Sequence, residues 1–242
     1  MDSIVLSSAN AKTSENNRLR LKLSDIIKLE NNVVSLSHCT IWYTWKNFRD
    51  IYGNTTGSSY KHLPSNTTVS LNIPEGSYSI RDINNYIHHV MKLNSHGNSD
   101  DTYGINVYPN PVYNRVTVDV SNDFEFLPND GLRETLGFDD TQKVLTNGNF
   151  NGNNVARIER VDTVLIHCNL VNTSITRDST IIHSVVPNNT LGNILEIKPN
   201  YPLRRRCRNA TFSDIEVWFT DQDNNALDLE DKILVELQKE SI

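Results

Sequence analysis

The chain has 242 residues, long enough for one large domain or two small ones. With 37% hydrophobic and 21% charged residues it can bury a core, and a net charge of −6 excludes the basic balance of a general nucleic-acid coat. Thirty-two asparagines, 21 serines and 19 threonines against only 10 glycines disfavour a helical bundle, because these side chains compete with the helix backbone for hydrogen bonds; strands joined by turns suit them better.

Residues 1–17 are polar and without periodicity, and are expected to be a flexible arm. Arg18 to Leu23 (RLRLKL) alternates strictly, the pattern of a half-buried strand. Val33 to Trp45 (VVSLSHCTIWYTW) is β-branched and aromatic and predicts a strand pair or one long strand. Residues 53–66 (GNTTGSSYKHLPSN) read as a polar loop. Thr67 to Ile73 alternates again, with Val69, Leu71 and Ile73 on one face, and Pro74-Glu75-Gly76 marks a turn. One clear helix follows. Ser79 is a candidate N-cap with Asp82 as its capping-box partner, and Ile80, Ile83, Tyr86, Ile87, Val90 and Met91 form a single apolar stripe.

From Tyr103 the strand signal resumes. Gly104 to Tyr108, a turn at Pro109-Asn110-Pro111, and Val112, Asn114, Val116, Val118 and Val120 on one face predict a hairpin. Leu132 to Phe138 (LRETLGF) is a short helical turn closed by Gly137. Residues 147–154 (NGNFNGNN) read as a flexible tip. Four strong β segments come next, at 161–171, 180–186, 191–198 and 209–220. A turn at Asp221 to Asn225 leads to a last strand at 232–238. Eight to ten strands, one medium helix and one short helix, with no repeat or linker, predict an all-β fold. The economical architecture is one antiparallel β-sandwich over residues 18–242, a single jelly roll with the helices in its connections. The Cys–Trp–Cys spacing of an immunoglobulin domain is absent.

The N-terminus carries no basic, apolar leader and no stretch approaches a membrane span, so the expectation is a chain made in the cytosol and not secreted by a signal peptide. Cys39, Cys168 and Cys207 are scattered and odd in number, which argues against a disulfide framework. Cys39 and Cys168 sit in apolar runs and read as buried, whereas Cys207, between arginines, reads as exposed. Five N-x-Ser/Thr sequons, at Asn54, Asn66, Asn172, Asn188 and Asn209, are what this composition produces by chance.

No motif carries chemistry. Phosphate- and dinucleotide-binding glycine patterns, H-E-x-x-H, C-x-x-C and G-x-S-x-G are all missing. His88-His89 point about 100° apart on a helix and cannot share a metal. His167 and Cys168 lie on opposite faces of a strand, and His38, His62 and His183 are isolated. Asp100-Asp101, Asp139-Asp140 and Asp221/Asp223 lack the calcium-loop pattern and read as turn residues. Arg18, Arg20 and Lys22 form one polar strand face. Catalytic, cofactor and metal residues are therefore expected to be none. Arg204, Arg205, Arg206 and Arg208 stand out in an acidic chain, as candidates for a subunit contact or a phosphate contact, against the plainer reading of a solvated loop.

Several blocks together resemble a known family. NATFSDIEVWFTDQDNNALDLEDKILVELQ places Ile215, Val217 and Phe219 on one face, answered by Ile233, Val235 and Leu237. LPSNTTVSLNIPEGSYSIRDINNYIHHVM, GINVYPNPVYNRVTVDV, ETLGFDD, VDTVLIHCNLV and IIHSVVPNNTLGNILEIKP complete the set, with the early aromatic strand IWYTWKNF. In order and content these blocks resemble the single jelly-roll minor capsid (penton) proteins of Polinton/Maverick and adintovirus-like elements, over residues 18–240. The resemblance implies a non-enzymatic capsid protein of the virion, made in the host cytosol and assembled there or in the nucleus. Its implied partners are further copies of itself, a pentamer before a trimer, and a double jelly-roll major capsid protein, with nucleic acid unlikely. The alternative is a jelly-roll spike or a carbohydrate- or receptor-binding module.

Overall fold

A computed structural model describes residues 2–15, 17–97, 102–171, 180–189, 192–229 and 232–242. In chain order its strands are β1 (Asp2–Ser7), β2 (Lys12–Glu15), β3 (Arg18–Leu29), β4 (Asn32–Trp42), β5 (Ser58–His62) and β6 (Thr67–Leu71). Helix α1 (Ile80–Leu93) precedes β7 (Ile105–Asn110) and β8 (Arg115–Leu127), and helix α2 (Asp130–Leu136) precedes β9 (Leu145–Asn151). The chain finishes with β10 (Val164–Cys168), β11 (Ile181–Val185), β12 (Ile194–Ile197), β13 (Arg205–Arg206), β14 (Ala210–Thr220) and β15 (Leu234–Ser241).

The described chain divides into two compact units, Met1–Trp45 with Val161–Ile242, and Lys46–Arg160. The first unit is a sandwich of two antiparallel sheets. One has the order β1-β15-β4-β12, with β13 also on β4; the other runs β11-β10-β14-β3-β2. Period-2 patterning aims one row of each strand inward. Leu36, Cys39 and Ile41 of β4 and Val235 and Leu237 of β15 join Ile215, Val217 and Phe219 of β14 and Ile166 and Cys168 of β10 in one buried cluster. The two C-terminal strands do not pair with each other. β14 bonds to β10 and β3 while β15 bonds to β1 and β4, so their apolar rows belong to opposite sheets of one core.

The expected free arm is a correction. Residues 2–7 pair in register with β15, from Asp2 opposite Lys239 to Ser7 opposite Leu234, and residues 12–15 pair with β3. Ile4-Val5-Leu6 is a β-prone triplet, Leu6 is fully buried, and without β1 the strand β15 would be an open edge.

The second unit is a separate layer of sheet and helix with its own core, inserted between β4 and β10. This differs from the single domain expected over 18–242; nothing in composition marks the join, because both units use the same polar turns. Its sheet runs β6-β5-β8-β7, with β9 also on β8. Ile83, Ile87 and Met91 of α1 are buried in a cluster with Val107, Val118, Phe126, Leu132 and Leu136. The cap is as predicted: the Ser79 hydroxyl accepts from the Asp82 N–H at 3.2 Å, and Asp82 accepts from the Ser79 N–H at 2.9 Å. Those bonds from Ser79 hold the Asp82 carboxyl below its ordinary range. α2 starts on Asn129, which accepts from Leu132 N–H at 2.8 Å, and stops at Gly137 in the left-handed region, with φ of 81°.

Two predicted loops are strands. β5 lies within residues 53–66, where Tyr60 is fully buried, and β9 occupies most of 147–154. The hairpin turn also shifts. β7 continues through Pro109 and Asn110, so Val112 and Asn114 belong to the turn, and Val112 is 80% exposed, not on the Val116–Val118–Val120 face.

Candidate interaction surfaces

The arginine segment lies on the first unit. β13 attaches to β4 with Arg205 opposite Val34 and Arg206 opposite Val33, so alternation sends Arg204 and Arg206 to one side and Arg205 to the other. Arg204 pairs with Glu240 at 3.1 Å. Arg205 is half-buried, and its charge adds to burial in holding the His183 imidazole below its ordinary range. Arg206 and Arg208 are exposed and make no ion pair among the described residues. Arg205 therefore does not share a side with Arg204 and Arg206. Arg206 borders a polar hollow of about 240 Å³ together with Asn31, Asn32, Asn209 and Ile242. Cys207 is the exception to its predicted exposure. Its N–H donates to the Asn32 carbonyl at 2.9 Å, which turns the thiol inward to 8% exposure. All three cysteines are free and buried.

Histidines occupy packing roles. Both ring nitrogens of His167 meet threonine hydroxyls, Thr180 at 3.0 Å and Thr220 at 2.9 Å, and the ring stacks on Trp218. His38 lies 3.2 Å from Glu196. Nε2 of His88 sits 3.0 Å from the Ile105 carbonyl, and burial lowers its pKa; His89 is exposed. One pairing has no signal in the sequence: the rings of His62 and His96, 34 positions apart, lie 4.2 Å apart and tilted by 32°, with Tyr60 Oη 3.0 Å from Nδ1 of His96. No group of three or more His, Cys, Asp or Glu able to hold a metal occurs among the described residues.

The acidic pairs that can be described are turn devices. Asp139 accepts from the N–H and hydroxyl of Thr141, Asp140 bonds the buried Arg133 at 2.9 Å, and Asp221 accepts from the N–H groups of Asp223 and Asn225. Asp100-Asp101 lies outside the described residues. Arg18 and Arg20 form the predicted polar strand face, meeting Glu216 at 3.5 Å and Asp214 at 2.9 Å across β3 and β14. Two further surfaces have only a weak sequence signal. One is an apolar groove of about 390 Å³ lined by Ala9, Trp42, Ile194 and Ile233. The other is the outward face of β7, β8 and β9, carrying Asn106, Tyr108, Thr117, Asp119, Asn149 and Asn151.

No protein-family model matches the chain, and no curated sequence matches it significantly. Among solved structures, the mavirus penton protein superposes over 100% of both chains with a TM-score of 0.54 at 13% sequence identity. The chain has the fold of that penton protein. The resemblance to single jelly-roll pentons therefore holds for the architecture. A chain of the Sputnik virophage structure aligns over 98% of this chain and 97% of its own, with a TM-score of 0.43 at 11% identity. No helix among the described residues is long and apolar enough to cross a membrane.

Proposed function

We propose that the chain is a structural minor capsid (penton) subunit that forms closed oligomers at the vertices of an icosahedral particle. Superposition on the mavirus penton protein over the full length of both chains carries this reading, since it spans both units and not only the common sandwich. In this reading the protein is not an enzyme, acts in the virion, and meets a double jelly-roll major capsid protein.

Charge supports a contact between copies. The chain is −6 overall while Arg204, Arg205, Arg206 and Arg208 are concentrated in one segment, three of them exposed. A basic segment on an otherwise acidic chain favours a head-to-tail contact with a neighbour, and a heterologous contact that closes makes a ring. Pentamer is the favoured ring.

Sedimentation of the purified chain tests this. A five-subunit species at micromolar concentration is expected, with Arg204, Arg205 and Arg206 changed together to Ala yielding folded monomers. A stable monomer of the unaltered chain refutes the proposal. Three-fold rings in negative-stain images would transfer it to a spike, and an unchanged oligomer in the triple variant would remove the arginines from the contact.

A further inference from the structure

The outward face of the second unit's sheet is built from residues that strands disfavour. Asparagine is depleted from strands, yet Asn106 and Asn110 lie in β7 and Asn149 and Asn151 in β9. Their side chains face away from the core, whose side of the same strands is supplied by Val107, Val118 and Phe150. Core packing therefore does not explain them, and a local preference overridden without a packing gain is where function is to be sought.

The register brings these residues into two rows. Asn106, Asp119 and Asn149 form one; Tyr108, Thr117 and Asn151 form the other. A network fixes the orientation of Tyr108, Thr117, Asn149 and Asn151. Asn151 Oδ1 accepts from the Thr117 hydroxyl at 2.7 Å and from Asn110 Nδ2 at 3.2 Å, and Asn149 Nδ2 donates to Tyr108 Oη at 2.8 Å. Asn149, Asn151 and Asp119 are nonetheless exposed, and Tyr108 keeps 40% of its surface in solvent. The groups left over after the network is made are an amide N–H pair on Asn151, an amide oxygen on Asn149 and the Asp119 carboxylate, all beside a tyrosine ring held at its hydroxyl. Among the described residues neither Asn151 Nδ2 nor the Asp119 carboxylate has a protein partner.

We propose that this face binds a neutral carbohydrate chain. Planar amides held by the network, with a free carboxylate beside them, match the paired hydroxyls of a sugar, and an exposed tyrosine ring offers a flat apolar surface for the sugar's C–H face. Fixing these side chains beforehand lowers the ordering cost of binding a flexible, hydrated ligand. Only Asp119 and, at the margin, Arg115 carry charge in the two rows and their flank, so neither an anion nor a nucleic-acid strand fits as well. The site is contained in one unit.

The test is a printed array of neutral, sialylated and sulfated oligosaccharides probed with the purified full-length chain, followed by calorimetric titration of the strongest free oligosaccharide. Neutral glycans of protein or lipid type are expected to bind. Tyr108→Ala should weaken binding about tenfold or more, the scale of losing one buried aromatic contact. Asp119→Asn, isosteric and on an exposed side chain, should also weaken it while leaving circular dichroism unchanged, and Arg206→Ala should have no effect. Failure to bind any neutral glycan overturns the proposal. So does binding of equal strength in both face variants, or binding confined to anionic glycans.

Discussion

Acidification should weaken the sandwich of the first unit through His167. The ring is 6% exposed, bonded at both nitrogens to threonine hydroxyls and stacked at 5.1 Å on Trp218. Burial lowers its pKa from 6.5 to about 4. A histidine in the unfolded chain takes up its proton near pH 6.5, whereas the folded one does so only near pH 4. Between those values the unfolded state binds more protons, so stability is complete above about pH 6.5 and falls as the pH drops toward 4. At about 1.4 kcal/mol per pH unit the gap is worth about 3 kcal/mol in full, and about 2 kcal/mol at pH 4.5 if solvent still reaches part of the ring. Trp42, Trp45 and Trp218 all lie in this unit, so tryptophan emission during urea unfolding reports on it specifically. His167→Gln keeps an amide donor and acceptor for the two threonines but cannot titrate. Moving from pH 7.5 to pH 4.5, the unaltered chain should lose about 2 kcal/mol more than the variant. His183 of the same unit, also lowered by burial, is present in both proteins and cancels in the comparison. Equal losses would refute the argument.

Two further predictions follow from burial and pairing. Burial raises the pKa of all three thiols, of Cys168 to about 12 and of Cys207 to about 11, so the native chain at pH 8 should resist an aromatic disulfide reagent until it is unfolded. Rapid reaction of one thiol in the native state would show Cys207 to be accessible. Deleting residues 1–7 removes fully buried Leu6 and opens β15 as an edge, which should cost about 2 kcal/mol for the side chain and cause concentration-dependent association seen by light scattering. An unchanged urea midpoint with no association would restore the free-arm reading.

The elements legible in the sequence are those whose apolar period survives alone. The Ile80–Met91 stripe with its Ser79 cap, the alternation of β3, and the Ile215–Phe219 and Ile233–Leu237 rows all need no distant partner to be recognised. β5 and β9 fail that criterion. SSYKH has one apolar residue, Tyr60, and LTNGNFN is interrupted by asparagine and glycine; each is a strand because β8 supplies a long template for pairing. The two-unit organisation was hidden for a related reason. Polar turns alike in both halves leave no composition break, and only the separation into two buried clusters reveals the join. The arginines were visible as a run, but their splaying depends on β13 pairing with β4, which two residues of strand do not announce.

The asparagine excess resolves into three physical roles. Among the described residues six non-glycine positions have positive φ, and five of them are asparagines: Asn31, Asn66, Asn114, Asn147 and Asn224. These take the left-handed conformation usually given to glycine, Asn147 at the irregularity in β9 and the others between strands, which accounts for a many-stranded chain with so few glycines. A second role covers sheet edges. Asn84, out of place within helix α1 by propensity, accepts the Val107 N–H of edge strand β7 at 2.7 Å, satisfying a group that would otherwise be open to pairing with another chain. The third is the outward network on β7 and β9, where asparagine neither turns the chain nor closes an edge. Turn and edge roles are explained by backbone geometry alone. The network is not, and its fixed, uncharged donors and acceptors are what separate a recognition surface from a merely solvated sheet face.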